Sequence, residues 1–318
     1  MRIIIVGRTK KYNAEYFYSK YFRRLGHDVE VVDMFLGVDH RLFESLVHSR
    51  TKLFRYTLDA FEINKYLTHY VEKSDPDAIV VFRGEMVSKK TLSNLIASYH
   101  VYLFYPDVFK FLRSISDRIY LYEALFTSAN VFDPYLKLGC KHCYTIPWAC
   151  DPEFHRSLNY LVKEYDSSFI GTAYPERRRI LRNLSNVEVF GDFWYGFGKR
   201  SHKAVRGEEY IETINKTAVN LNLQTRASIV GDAPTMRTFE ISGCGAFQIS
   251  DSMPSIHRYF PKMTVFRDSK EIQDLISYYL DAKDERNEIA LENQRICYSK
   301  FTYENTAKSI LSKMHGGN

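Results

Sequence analysis

The sequence predicts an α/β protein made of two Rossmann-like, doubly wound domains in series. Three observations predict it. A strand, a helix and a second strand open the chain within about 30 residues, the span of a βαβ unit. The segment Asp151-Pro152-Glu153 then breaks regular structure midway along the chain. After it the same alternation starts again. Two such sheets bind ligands at the carboxyl ends of their strands, so the two domains are expected to face each other across a cleft.

Each element follows from a local pattern. Arg2–Val6 is a short apolar run ended by Gly7. Asn13 is placed to cap a helix whose apolar face would hold Tyr16, Phe17, Phe22 and Leu25, with Gly26 as its left-handed stop. Asp28–Asp33 is the second strand. Residues 41–72 read as helical and Ala78–Phe82 as a buried parallel strand. A helix over 88–98 and strands at Val101–Tyr105, Ala124–Thr127 and Tyr144–Pro147 complete a sheet of about six strands. Trp148–Asn159 is the expected linker. Beyond it come strand Ser167–Ile170, a helix near 175–184, strand Val187–Phe190 and a helix over 207–216. Strand Ala218–Leu221, a helix over 234–243 and strand Ala246–Ile249 follow. Helices near 269–281, 283–298 and 303–314 end the chain. The domains expected are thus 1–152, 153–300 and a C-terminal helix, 301–318, returning to the first domain.

Composition narrows the function. The 318 residues are 45% hydrophobic and 26% charged, which is globular rather than disordered. A net charge of +6 suits phosphorylated ligands but lacks the dense Lys/Arg clustering of a dedicated nucleic-acid binder. Five cysteines, an odd and sparse count, point to a reducing compartment. The apolar start, Ile3 to Val6, is too short for a signal-peptide core, and a cytoplasmic location is expected.

The most informative stretch runs from Gly231 to Asp251. It reads as a loop, a helix and a strand. Pro234 suits a first helical turn, where a missing N–H is harmless. The free N–H groups of that turn, at Thr235 and Met236, would form an anion site favoured by the helix dipole. Arg237 is close enough to reach a phosphate. Glu240, three residues on and on the same face, would accept hydrogen bonds from two ribose hydroxyls. Gly243 and Gly245 would let the backbone turn into the next strand.

Arg237-Thr238-Phe239-Glu240, with the glycines after it, resembles the R-x-F-E-x-x-x-x-G signature of GT-B glycosyltransferases, specifically the group 1 and spore-maturation-protein-like enzymes. Met1–Asp33 is similar to the family's opening βαβ unit and Asp75–Val81 to its third strand. Leu138-Gly139, Ile146-Pro147 and Asp151-Pro152 resemble its approach to the second domain. Ser168–Thr172 with Glu176-Arg177 resembles the start of the donor domain, and Phe301-Thr302-Tyr303 its closing motif. The resemblance implies a GT-B fold and a nucleotide-sugar donor, UDP- or GDP-linked, with no other cofactor. It also implies a diphosphate held by backbone N–H groups and arginines without a metal. Related enzymes carry a Glu-x7-Glu pair whose second Glu meets the ribose and whose first meets the sugar. Glu240 matches the second, whereas Asp232 stands at the first. Gly171 and Arg177 join the donor side.

The acceptor side would come from the first domain. Gly7-Arg8, Arg83-Gly84-Glu85 and Tyr105-Pro106-Asp107 each follow a strand and so lie at its carboxyl edge. Inverting transfer needs a base there, with Glu85 and Asp107 as candidates; retaining transfer needs only stabilisation of the leaving diphosphate. Cys140-Lys141-His142-Cys143 has zinc-like spacing but no second pair, so no metal is expected. The basic loop Lys199–Arg206 follows Trp194–Gly198, a combination that suits peripheral membrane or DNA contact. The acceptor stays open between a glycan, a protein, a small molecule and, in a DNA-modifying enzyme, DNA. A nucleotide- or sugar-binding protein without turnover also stays open. Gly7-Arg8-Thr9 lacks the G-x-G-x-x-G turn of NAD-dependent oxidoreductases.

Overall fold

The computed structural model describes residues 1–34, 63–106, 108–109 and 112–314. The chain divides into two compact units, Met1–Pro147 with Thr306–Asn318, and Trp148–Asn305.

The first unit holds a six-stranded, all-parallel sheet in the order β2-β1-β3-β4-β5-β6. Its strands are β1 (Arg2–Gly7), β2 (Asp28–Asp33), β3 (Ala78–Phe82), β4 (His100–Tyr105), β5 (Leu125–Thr127) and β6 (Cys143–Thr145). Helices α1 (Ala14–Arg24), α2 (Ile63–Ser74), α3 (Lys89–Leu95) and α4 (Asp133–Leu136) connect them. Ile3, Ile4 and Ile5 are fully buried and β3 is buried throughout, as strands covered on both faces must be. The helix expected over 41–72 begins among the described residues at Ile63; its earlier part lies outside them.

Helix α1 departs from its expected face. It buries Phe17, Tyr18, Tyr21 and Phe22, while Tyr16 and Leu25 stay half-exposed. The cause is an aromatic layer. Phe82 and Phe104 stack at 4.8 Å between centroids, and Tyr18 packs onto Phe104 at 5.2 Å. The Asn13 side chain makes no capping bond. The inward-facing residue of the first turn is instead Glu15.

The second unit repeats the architecture, in the order β12-β11-β10-β7-β8-β9, again all parallel. The strands are β7 (Tyr165–Ile170), β8 (Val187–Phe190), β9 (Ser201–His202), β10 (Thr217–Asn222), β11 (Gln248–Asp251) and β12 (Thr264–Phe266). The helices are α5 (Pro175–Arg182), α6 (Glu208–Lys216), α7 (Arg226–Val230), α8 (Met236–Gly243), α9 (Pro254–Tyr259), α10 (Glu271–Asp281) and α11 (Lys283–Lys300). Four of these elements escape the sequence reading: β9, β12, α7 and α9. All are too short to show a period. Strand β11 also lies two residues beyond its expected place. Gly245, at φ +62°, makes the turn, and Gln248 and Ser250 are buried inside the strand.

The last helix, α12 (Tyr303–Met314), counts with the first unit from Thr306 onward. There Tyr102 donates its hydroxyl to the Met314 carbonyl at 3.0 Å, and Lys313 lies over the Tyr144 ring.

Both strand orders have a point at which the winding reverses. In the first unit β1 lies between β2 and β3; in the second β7 lies between β8 and β10. The crevice at the carboxyl ends of β1 and β3, and that of β7 and β10, are where open α/β sheets hold ligands.

The second crevice depends on close backbone approach. A Cβ on Gly191, at φ +147°, would collide with the Gly171 carbonyl, and Trp194 Nε1–H donates to the same oxygen at 2.8 Å. Gly191→Ala is therefore expected to destabilise the second unit by about 2 kcal/mol through overpacking and backbone strain. Gly26→Ala meets no atom, so its loss reflects its φ alone. Urea unfolding of both variants measures the difference.

Candidate active site

The crevice of the second unit is built around two arginines. Arg177 projects inward from the first turn of α5 and Arg237 from the first turn of α8. Both guanidiniums lie over the Phe169 ring, at 5.1 and 4.9 Å from its centroid. Both reach the carbonyl of Leu223, just beyond β10, at 3.0 and 3.3 Å. Arg177 also donates to the Thr172 carbonyl at 3.3 Å, and Arg237 to that of Ile170. Gly171 lies at φ +154°, and a Cβ there would displace Nη1 of Arg237, so glycine is favoured on both grounds. Gly171, Arg177 and Arg237, expected together on the donor side, do converge.

Among the described residues neither guanidinium has an ion-pair partner, and Nε of each is buried without a hydrogen bond. Burial, and then the neighbouring Arg237, push Arg177 down to about 9. Burial lowers Arg237 as well. Both remain cations at neutral pH. Asp251, at the end of β11, acts on both from a distance, and burial raises its own pKa. A pair of desolvated cations with no bound carboxylate has the chemistry to take an anion.

Helix α8 adds backbone dipole to that charge. The N–H groups that open it lack intrahelical partners, as helix geometry requires, whereas the Thr238 N–H donates back to the Thr235 carbonyl at 3.0 Å. The Thr235 N–H is already taken by Gln224 Oε1 at 2.9 Å, and Thr235 Oγ1 lies 3.4 Å from Asn222 Oδ1. Thr235 thus anchors the helix start, leaving Met236 and Arg237 to present free N–H groups. Met236 Sδ accepts from the Tyr303 hydroxyl at 3.6 Å.

Glu240 is buried, at 5% exposure. Its Oε2 accepts from the Tyr210 hydroxyl at 2.7 Å, and Oε1 faces His155 Nε2 at 3.5 Å. The Asp151 N–H donates to His155 Nδ1 at 2.9 Å, which leaves the ring proton on Nε2, toward Glu240. Gly243 sits apart from the arginines. A Cβ there would lie 2.7 Å from Cys150 Cβ and 3.2 Å from His155 Cβ. Its φ is ordinary, so the glycine serves close packing and Gly245 makes the turn. Asp232 is also apart, at φ +47°. Its Oδ1 accepts from the Ser255 N–H of α9 at 2.8 Å, and Oδ2 lies 3.5 Å from Arg258 Nη2.

The first unit gathers Gly7, Arg8 and Arg83 at its own crevice, together with a carboxylate that sequence reasoning missed. Glu15 Oε1 accepts from the Arg8 N–H at 3.3 Å, and Arg8 and Arg83 act on Glu15 electrostatically. A Cβ on Gly7 would come within 2.8 Å of Glu15 Cγ. Burial pushes the Glu15 carboxyl up from the usual carboxylate range, against the pull of both arginines. An acidic residue in a helix's first turn ordinarily faces solvent and complements the dipole, so the sequence gives it no distinction. Arg83 and Gly84 are both left-handed, at φ +68° and +80°. Arg118, also missed, clamps that loop by donating to the Gly84 and Glu85 carbonyls at 3.4 and 3.2 Å. The Glu85 side chain is half-buried. Asp107 lies outside the described residues. Among the described residues no three His, Cys, Asp or Glu side chains are grouped to hold a metal ion.

Glu15 makes stability depend on pH. Its folded pKa is raised, so the protonated form stabilises the fold below the unfolded value near 4.5, and that contribution is lost as pH rises through the folded pKa. Glu15→Gln is therefore expected to gain melting temperature relative to the natural chain at pH 7 and to lose that gain toward pH 4. Equal differences at both pH values would show that the buried carboxyl does not titrate as placed.

A glycosyl transferase-like family model matches residues 174–312, the stretch that carries both arginines and Glu240. The spore protein CgeB of Bacillus subtilis (strain 168) is 24% identical over 271 residues, covering 74% of this chain and 81% of the relative. HepE from Anabaena in complex with UDP-glucose superimposes with a TM-score of 0.69 at 10% identity, covering 99% of each chain. A trehalose-6-phosphate structure from E. coli bound with UDP-2-fluoro glucose gives 0.68 at 9%, covering 100% of each. The two-sheet fold is the GT-B fold shared with these structures, and the C-terminal stretch is similar to the glycosyl transferase-like family.

Proposed function

We propose that the protein transfers a sugar from a nucleotide-sugar donor, a UDP-sugar before others, to a carbohydrate or glycosylated acceptor in the cytoplasm. One observation carries the reading. Arg177 and Arg237 are two desolvated guanidiniums on one aromatic ring and one carbonyl, with no carboxylate bound to either. A diphosphate supplies the missing charge. The N–H groups of Met236 and Arg237 complete its cradle at the positive end of α8. The preference for uridine rests on the UDP-sugars held by the HepE and E. coli structures of the same fold. Five free cysteines fit a reducing compartment.

The chemistry follows from where charge develops. As the glycosidic bond breaks, electrons move onto the diphosphate oxygen. The arginine pair and the helix N-terminus are already oriented to stabilise it, without reorganisation and without calling on a metal. Glu240, held by Tyr210 and His155, is the residue we assign to the ribose hydroxyls. Asp232 takes the place of the sugar-side carboxylate, and its side chain anchors α9. In the first unit Arg8, Arg83 and Glu85, with Asp107, handle the acceptor, and Gly7 allows close backbone approach. Glu15 is a further buried carboxylate at that crevice.

Thermal shift with UDP, GDP and ADP and their sugars tests the reading. UDP is expected to raise the melting temperature, because it binds the folded state alone. Arg237→Ala is expected to abolish the shift and to lower turnover by about a hundredfold or more, the scale for losing one preorganised donor. Arg177→Met is expected to abolish the shift as well, while costing less than about 1 kcal/mol of stability, because it removes an unpaired buried charge. A shift that survives both substitutions, or no shift with any nucleotide, would refute the site. UDP released from a UDP-sugar without acceptor would separate an enzyme from a binding protein.

A further inference from the structure

The donor reading leaves one surface of the second unit unused. Helix α5 turns Arg177 and Leu181 inward and leaves Arg179 and Arg182 in solvent. Among the described residues neither has an ion-pair partner. The acid of this helix, Glu176, is confined to its first turn. Beside the helix runs the loop after β8. Its Trp194 is buried, whereas Phe193 and Tyr195 on either side are 53% and 70% exposed.

That exposure is built in. Arg178 donates to the Phe193 carbonyl at 2.7 Å and to the Tyr195 carbonyl at 2.6 Å, bridging the two residues from below. Phe193 is held at φ +67°, an uncommon backbone for a bulky residue. Trp194 pins the loop to Gly171 from the inside. The backbone beneath both rings is therefore held, and both residues face solvent. A Cβ on Gly196 would come 3.9 Å from Arg182 Nη2, so the loop lies against the arginine face. A groove of about 640 Å³ along that face is lined by Ala173, Pro175, Arg178, Arg179, Arg182 and Asn183.

The basic loop from Lys199 onward contributes less than its sequence suggests. Arg200 donates to the Leu184 carbonyl, His202 pairs with Glu188, and Lys203 pairs with Glu209. Lys199 and Arg206 of that loop stay exposed, and the charge lying against the two rings is on α5. We infer that this face docks the second unit on an anionic bilayer surface, with Phe193 and Tyr195 among the headgroups and Arg179 and Arg182 on lipid phosphates. Rings with an apolar body at a headgroup boundary, flanked by guanidiniums, are the chemistry of interfacial anchoring. Nucleic acid fits less well. The two rings are 6.4 Å apart but tilted by 55°, so they form no parallel slot for a base.

Vesicle flotation of the purified chain tests this. Binding is expected to vesicles containing about 30% phosphatidylglycerol and not to pure phosphatidylcholine, and to weaken with salt. Two double variants isolate the two components. Phe193→Asn with Tyr195→Ser removes the rings, using asparagine because it tolerates the left-handed backbone. Arg179→Glu with Arg182→Glu reverses the charge. Each is expected to reduce partitioning by about tenfold or more while keeping the circular dichroism spectrum and the UDP-dependent thermal shift. Undiminished binding in both variants, equal binding to neutral vesicles, or binding to single-stranded DNA in place of vesicles would overturn the inference. Because neither variant touches the arginine pair, loss of the UDP response in the natural chain would refute the donor site and leave this test standing.

Discussion

Two like charges side by side, Arg177 buried and Arg237 half-buried, govern the second unit. Bringing a guanidinium out of water is costly unless its donors are satisfied and its charge is matched. Arg177 and Arg237 find carbonyl oxygens at Ile170, Thr172 and Leu223 and a ring face at Phe169. These partners satisfy donors but bring no negative charge. The arrangement is therefore held against its own electrostatics by the packing around it. Gly171 yields space to Arg237, Gly191 yields space to Gly171, and Trp194 ties that corner together. An anionic ligand would relieve the mismatch, which is what the proposed donor role asks of the pair.

Helix α8 must be held rigidly for this to work, and a buried amide network holds it. Asn222 donates to Thr238 Oγ1 at 2.8 Å and to Gln248 Oε1 at 2.9 Å. Gln248 in turn donates to the Thr238 carbonyl and to Ser242 Oγ. Gln224 bridges the Thr235 N–H and Ser250. Each amide joins a strand end to the helix, so a rotation of α8 would leave several buried polar groups unpaired at once. The network fixes where Arg237 and Glu240 project. It also explains why strands β10 and β11 carry so many polar residues in a buried sheet.

Those polar residues set the limit of what could be read from the sequence. The first sheet was legible because Ile3–Val6 and Ala78–Phe82 are continuous apolar runs. The second was blurred, since Gln248 and Ser250 look like loop and are core. The arginines were legible because Pro234, Arg237 and Glu240 stand at helical spacing after a loop. Glu15, Tyr210 and His155 were not. Each belongs to a segment that looks like an ordinary helix start, helix face or linker, and only the fold turns it inward. The role of Gly243 was misread for a similar reason. Its need is the proximity of Cys150, a residue more than ninety positions earlier, and no local pattern encodes that.

Each crevice brings two arginines together, and the first adds a buried carboxyl among the described residues. Arg8 and Arg83 in the first unit face Glu15, whose carboxyl lies within hydrogen-bonding reach of the Arg8 backbone. Arg177 and Arg237 in the second unit have carboxylates acting only from a distance, Asp251 on both, Glu176 on Arg177 and Glu240 on Arg237. A buried carboxylate beside two guanidiniums cancels much of their field and adds an acceptor for a hydroxyl proton. Its absence leaves a net dication. The first crevice therefore pairs its cations with an acid while the second does not, a difference consistent with the separate acceptor and donor roles proposed for them. On this argument Glu15 belongs with Glu85 and Asp107 in any account of how an acceptor hydroxyl is recognised.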